Sequence, residues 1–414
     1  MKIVVIGSGG REHALVNRFE TELGNENVYA IPGNAGIKNS VDIKINNFVA
    51  IKEFCDKNQI KWIFVGPEQP LTEGIVDYFM NSSVNVFGAD KKSSKLESSK
   101  IFAKNFMKKY LVSTAEYTEF NNFNDAHKLI EQLSGDLVVK YDGLAGGKGV
   151  FVCSDIKEAY DALNDLKENY GDNSSFLIEK KLTGEEISII GITDGKNIKL
   201  LQPSQDHKQI YDGDKGPNTG GMGAYSPVPF CDESMMNKIR EKIVIPTMNG
   251  IIAENMNYKG IIYFGIMISE NTPFLLEYNV RFGDPETEVI LPALKSSFTE
   301  LIKACFDNTL KSKKLVFSDK YFVDIVLTSG GYPKKYKTGY EINGLDKLNA
   351  ETMVFHAGTI KKDDKILSSG GRVLNIVSSD KNLKNAIGKA YSECKKISFR
   401  DMYYREDIGN RDGD

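Results

Sequence analysis

Residues 137–152, LVVKYDGLAGGKGVFV, combine cations and unusually free backbone in a way that suits a phosphorylated ligand. Leu137-Val138-Val139 and Val150-Phe151-Val152 are short apolar, largely β-branched runs that predict two strands. Between them stand Gly143, Gly146, Gly147 and Gly149, with Lys140 and Lys148 at the edges. Such glycines let the main chain approach a ligand closely, and successive N–H groups form a concavity for an anion. This is not a Walker A loop. Three residues, not four, separate Gly143 from Gly147-Lys148, and Gly149 stands where a Ser or Thr would hold Mg²⁺. A strand follows, so no helix N-terminus meets the phosphate. A ligand-free hairpin turn would need only one or two glycines.

Two further groups suit the same ligand. Residues 274–279, FLLEYN, and residues 260–268, GIIYFGIMI, predict a strand pair. Strand side chains two apart share a face, so Glu277 and Asn279 present hard oxygens side by side for Mg²⁺. Arg281 follows at once, a fork-shaped cation suited to a carboxylate, with Asp284 in RFGDPE. The run 175–179 ends in Glu179 and turns through Lys180-Lys181-Leu182 before Glu186. A nucleotide base can be held by a backbone hinge at Leu182 with Glu179 accepting its amine, and Glu186 can accept ribose hydroxyls. Lys100, just before the apolar pair Ile101-Phe102, is singled out from the basic helical run 91–110.

The elements that must position these residues begin with a strand at Ile3-Val4-Val5-Ile6, a glycine turn and a helix. Gly7 and Gly9 start a G-x-G-x-x-G pattern, but Glu12 takes the third glycine position and no carboxylate ends the second strand at 28–31. Nicotinamide dinucleotides are therefore disfavoured. A phosphate at Gly9-Gly10 with Arg11 beside it stays open, as does a purely structural turn. Strands at 62–65 and 84–88, alternating with helical patterns, indicate a doubly wound parallel-sheet domain with Gly66-Pro67-Glu68 at its ligand-binding edge. Residues 211–227, YDGDKGPNTGGMGAYSP, predict a long irregular loop that closes over a site, with Met222 and Tyr225 packing when it does. His207, in QDHK, has the chemistry to move a proton. A third unit starts near Tyr321, carries strands at 322–327, 354–356 and 373–377, and presents Arg372 at a glycine turn.

A formal charge of −3 argues against a nucleic-acid or membrane partner. The five cysteines are scattered, odd in number and never in C-x-x-C, which suits buried thiols in a reducing cytoplasm. At 414 residues about two to four domains are expected.

The strings GSGGREHA, VGPEQPL, VVKYDGLAGGKGV, QDHK, DGDKGPNTGGMGAYSP, EYNVRFGDPETE and GGRVL occur in the order found in the phosphoribosylamine–glycine ligase family. The chain resembles that family over almost its whole length, and with it the ATP-grasp superfamily. The resemblance implies an α/β and α+β multidomain fold: an N-terminal α/β domain over 1–101, an ATP-grasp domain over 102–320 with a small lid subdomain at about 112–190, and a β-rich C-terminal domain over 321–414. It also implies ATP as cosubstrate, Mg²⁺ or Mn²⁺ on Glu277 and Asn279, and phosphate contacts from Lys100, Lys140 and the lid residues Gly146, Gly147 and Lys148. Glu179, Leu182 and Glu186 take the nucleoside. A further acid that many ATP-grasp enzymes carry on the preceding strand is replaced here by Gly265-Ile266-Met267.

The implied reaction joins glycine to 5-phosphoribosylamine in purine synthesis. Arg281, Lys148 and Asp284 are the expected catalytic residues. Gly9, Gly10, Arg11, Glu68, Asp212, Arg281 and Arg372 are the expected substrate contacts, with Arg281 on glycine's carboxylate and Asp212 or Asp284 near its ammonium. A cytoplasmic monomer or homodimer is expected, of a length that fits the monofunctional enzyme. The rival readings are another ATP-grasp carboxylate–amine ligase, a nicotinamide oxidoreductase resting on the opening glycines, and a nucleic-acid binder resting on the lysines of residues 91–109.

Overall fold

A computed structural model describes residues 1–146 and 149–410; Gly147 and Lys148, two of the expected lid residues, lie outside them. The strand Ile3–Gly7 is buried along its whole length and pairs in parallel with Val28–Pro32 on one side and Trp62–Val65 on the other. Its unbroken apolar run follows from that position, because a central parallel strand is covered on both faces. Asn85–Ala89 adds a fourth parallel strand beside Trp62–Val65. The doubly wound reading of the N-terminal segment holds.

That sheet does not stop at the first expected domain boundary. Tyr258–Ser269 pairs antiparallel with Asn85–Ala89 through Tyr258↔Ala89, then with Glu185–Thr193 and Thr272–Asn279. The result is an eight-stranded sheet shared by the N-terminal and central segments. A smaller four-stranded antiparallel sheet carries the glycine hairpin, in the order Tyr117–Phe120, Phe176–Lys180, Asp136–Tyr141, Val150–Ser154. It has its own apolar core, in which Leu137, Val139 and Phe176 of the sheet pack with Ile130 and Leu163 of the helices Phe123–Gln132 and Ile156–Tyr170. The larger cores, by contrast, draw residues from all three segments: Val5, Phe282 and Phe355 share one of them.

The stretch 211–227 is a correction. Instead of one irregular loop, Lys215–Asn218 pairs with Gln209–Tyr211, and Gly223–Ser226 enters a six-stranded sheet between Gln205–Asp206 and Tyr321–Ser329. Ala224 pairs with Asp324, and Met222 and Tyr225 are buried. A glycine-rich segment has little strand preference of its own, and a partner about 100 residues away in sequence supplies the missing hydrogen bonds. This sheet likewise crosses the second expected boundary, since Gly223–Ser226 belongs to the central segment.

Among the described residues no helix is long and apolar enough to cross a membrane, and all five cysteines are free and buried.

Candidate active site

The glycine hairpin and the Glu277/Asn279 strand meet. Lys140, near the end of the strand Asp136–Tyr141, reaches the carbonyl of Leu276 at 3.4 Å and the Glu179 carboxylate at 2.8 Å. Lys100 opens the helix Lys100–Lys109, whose Ser99 cap accepts from Phe102 N–H, and its ammonium donates to Gly143 O at 3.0 Å. Burial lowers the Lys100 ammonium, and the like charge of Lys140 adds to that; Glu277 pulls the other way. Glu277 itself is pushed up by burial, but Lys208, Lys140, Lys100 and Arg281 outweigh this and hold it below the usual carboxylate range. Four cations around one ionised acid make an electrostatic setting for a polyanion and its metal.

Arg281 is surrounded by acceptors. Its guanidinium donates to Glu97 at 2.8 Å, Asn279 Oδ1 at 3.2 Å, Glu68 at 3.3 Å and Phe282 O at 3.1 Å. Glu97 also accepts from Val280 N–H at 2.7 Å, and burial pushes it up to about 7 in spite of Arg281. Glu68 goes the other way: burial would raise it, but Arg281 and Arg11 hold it low. Asn279 Oδ1 keeps one lone pair after serving Arg281, so it can still face a metal.

Glu186 is paired with Lys208 rather than standing open, and that ammonium is held well above its usual range because Glu186 and Asp206 outweigh its burial. Leu182 lies half-buried in the turn between Phe176–Lys180 and Glu185–Thr193. Gly146 has a left-handed φ of +55° and open space where a side chain would stand. The metal-ligand set is thin: among the described residues no cluster of three or more His, Cys, Asp or Glu could hold an ion. Glu277 with Asn279 therefore fits a metal that takes its remaining oxygens from substrate phosphates and water.

The N-terminal turn differs from its expectation. Gly9 N–H is taken by Glu12 Oε2 at 2.6 Å, closing the first turn of the helix Gly10–Leu23. The Glu12 side chain fills the space beside Gly7 and Gly66, which is why this position carries a glutamate instead of a third glycine. Arg11 turns inward to Glu12 and to Phe282 O at 2.9 Å. Asp284 and Glu288 crowd Gly9 and Gly10. The Gly9 amide is thus engaged by Glu12, and the Arg11 guanidinium is held within the fold between Glu12 and Phe282 O.

The nearby cation is Arg372, which donates to Asp284 O at 2.7 Å, pairs with its carboxylate at 3.2 Å and also reaches Gly220 O. The arginine of the third unit thus joins RFGDPE to the GPNTGG segment. Asp212 is not brought to these residues; it is exposed and accepts from Glu406 N–H on the C-terminal segment. His207 is fully buried, with Nε2 accepting from Gly409 N–H, a structural arrangement.

Sequence reasoning missed Glu97, Lys104 and the pairing role of Lys208. Lys104 lies one helical turn after Lys100 and forms a 2.9 Å ion pair with Glu179. Its i, i+4 relation to Lys100 was the available signal, hidden within a lysine-rich helix.

Three family models cover the chain in order: the phosphoribosylglycinamide synthetase N domain at residues 1–97, its ATP-grasp (A) domain at 98–287 and its C domain at 322–411. The chain belongs to the phosphoribosylglycinamide synthetase family. Phosphoribosylamine–glycine ligases of Clostridium acetobutylicum and Caldanaerobacter subterraneus are 44% and 43% identical to it, each alignment covering 99% of both chains. The crystal structure of the Thermotoga maritima phosphoribosylamine–glycine ligase is 33% identical, with a TM-score of 0.86, and covers 99% of this chain and 100% of its own. Biotin carboxylase from Campylobacter jejuni, 16% identical with a TM-score of 0.72, shares the fold alone.

Proposed function

We propose that this chain is the ATP-dependent ligase that joins glycine to 5-phosphoribosylamine, giving glycinamide ribonucleotide, ADP and phosphate in purine biosynthesis in the cytoplasm. The observation that carries the reading is that Lys140 of the glycine hairpin reaches the Leu276 carbonyl beside Glu277, while Lys100 reaches the Gly143 carbonyl of the same hairpin. It supplies what a triphosphate and one divalent ion need, on a chain that belongs to this ligase family.

Glycine's carboxylate is a poor electrophile until phosphorylated. One carboxylate oxygen attacks the γ-phosphorus, the bond to the ADP oxygen breaks, and an acyl phosphate forms. The sugar's amine nitrogen then attacks the acyl carbon, inorganic phosphate leaves with the C–O bonding pair, and the nitrogen loses a proton. Little of this requires a protein nucleophile, so positioning and charge stabilisation dominate.

Lys100 and Lys140 neutralise the transferring phosphoryl group, with Lys148 of the lid as a third cation. Glu277 and Asn279 would hold Mg²⁺ or Mn²⁺, which when bound screens the phosphate charge. Glu179 and the Leu182 backbone take the adenine, and Glu186 the ribose. Arg281 receives glycine's carboxylate in place of Glu68, its longest and most exposed acidic partner. That exchange leaves Glu68 free to accept from the incoming aminosugar. Asp284 lies at the ammonium end of glycine, and Arg372 takes the sugar phosphate.

The test is ADP formation followed while substrates are omitted one at a time. Activity should require glycine, phosphoribosylamine, ATP and a divalent metal together. ADP formation sustained by a different acid or amine would move the chain to another ATP-grasp carboxylate–amine ligase.

A further inference from the structure

Glu179 lies buried between two lysines, and the two are held very differently. Its Oε2 pairs with Lys104 at 2.9 Å and its Oε1 with Lys140 at 2.8 Å, while the carboxylate is only 2% exposed. A buried carboxylate is tolerated only while a cation compensates it. Lys104 is fixed from every side. Its ammonium donates to Thr114 Oγ1 at 2.6 Å, and that hydroxyl donates in turn to Leu275 O at 2.6 Å. The ring of Tyr117, which faces Glu179 across the strand pair, lies 5.7 Å from the same ammonium. Thr114 and Tyr117 are half-buried, and Lys104 itself is 1% exposed. Burial lowers its ammonium to about 8 against the pull of Glu179, so the ion pair is what keeps it charged.

Among the described residues Lys140 has no such anchorage. Beyond Glu179, its contact is the Leu276 carbonyl at 3.4 Å, too long for a strong hydrogen bond. It lies beside Glu277 and Lys100, where the proposed reading puts the triphosphate.

We infer that Lys104 is a positioning residue that keeps Glu179 compensated, so that Lys140 can leave that carboxylate for the phosphates of ATP. The inference rests on the proposed function. It adds a residue that never touches the nucleotide but sets how readily Lys140 can. Without Lys104, Lys140 becomes the sole counter-ion of a buried acid, and recruiting it to phosphate would strand that acid. ATP binding then has to overcome the retained pair.

The experiment compares the full-length chain with Lys104→Met, Lys104→Arg, Glu179→Gln and the double variant Lys104→Met/Glu179→Gln. Two readouts are used: binding of a fluorescent ADP analogue without the other substrates, and steady-state KM for ATP and glycine. Lys104→Met should weaken nucleotide binding and raise KM for ATP about tenfold or more, with KM for glycine within about twofold. Lys104→Arg should recover most of the loss. The double variant should bind nucleotide about as well as Glu179→Gln alone, because a neutral amide no longer captures Lys140.

Thermal unfolding of each variant reports folding separately. Unchanged nucleotide affinity in a folded Lys104→Met protein would overturn the inference. So would a double variant as weak as Lys104→Met, since a general packing defect is not relieved by neutralising Glu179. If the unmodified chain bound the analogue but made no ADP with glycine and phosphoribosylamine, the proposed function would fall while the Lys104 comparison still stood on binding. If it bound no nucleotide at all, both would fall.

Discussion

Arg281 and Glu97 form an ion pair of 2.8 Å beside the end of the strand Thr272–Asn279, and the same glutamate accepts from the Val280 amide. Glu97 thus fixes both the side chain of Arg281 and the backbone just before it. Arg281→Lys cannot keep four acceptors in a planar fork, so KM for glycine should rise about tenfold or more, with KM for ATP little changed. Glu97→Gln should shift the same constant in the same direction by a smaller factor. Steady-state kinetics with each substrate varied decides it. Unaltered glycine constants in Arg281→Lys would remove Arg281 from the carboxylate.

Metal binding should depend on nucleotide. With one carboxylate and one amide as the expected ligands, Mn²⁺ should bind the nucleotide-free chain at least about tenfold more weakly than the ADP complex. Manganese EPR titration with and without ADP measures this. Tight Mn²⁺ binding without nucleotide that survives Glu277→Gln would place the metal elsewhere.

The buried histidines predict acid sensitivity. His13 Nδ1 accepts from His356 N–H at 2.8 Å; burial lowers His13 to about 3 and His356 to about 4. Both fold neutral, whereas the unfolded chain takes up protons below about 6.5. Their contribution to stability is complete above that value and is lost as pH falls towards 4, on the order of 3 kcal/mol for each histidine. His13→Asn keeps an acceptor but does not titrate, so its unfolding temperature should fall less between pH 7 and 5. Calorimetry showing equal slopes for both proteins would refute this.

Glu288 and Asp324 carry the opposite sign. Burial first, then the nearby Asp284, raises both carboxyls well above their usual range, and their oxygens have no hydrogen-bond partner among the described residues. A raised carboxyl stabilises at low pH and loses that contribution as pH climbs past about 4, its unfolded value. Asp324→Asn should therefore stabilise the protein by about 1–3 kcal/mol at pH 8 and by less at pH 5. Denaturant titrations at the two pH values test the sign; a variant less stable at pH 8 would mean that the charge is compensated.

Patterns short in sequence were legible from sequence. The buried strand Ile3–Gly7, the glycine hairpin and the paired strand ending in Glu277 and Asn279 follow from local periodicity and turn chemistry. Gly223–Ser226 was not legible, because its strand exists only through pairing with Tyr321–Ser329. Nor was the engaged state of Gly9, which depends on how the Glu12 side chain folds back. Electrostatic partnerships such as Lys104–Glu179 and Arg281–Glu97 span 75 and 184 positions of the chain, where sequence separation says nothing about distance.

By itself the order of residues determined which chemistry was on offer: glycine-rich backbone with lysines for phosphate, a carboxylate–amide pair for a hard cation, and an arginine for a carboxylate. Tertiary structure alone decided which charges neutralise one another. Coulombic pairing depends on distance and burial, and both are set when the eight-stranded sheet brings Asn85–Ala89 against Tyr258–Ser269. That docking turns scattered acids and bases into one site, and leaves Asp212 paired outside it.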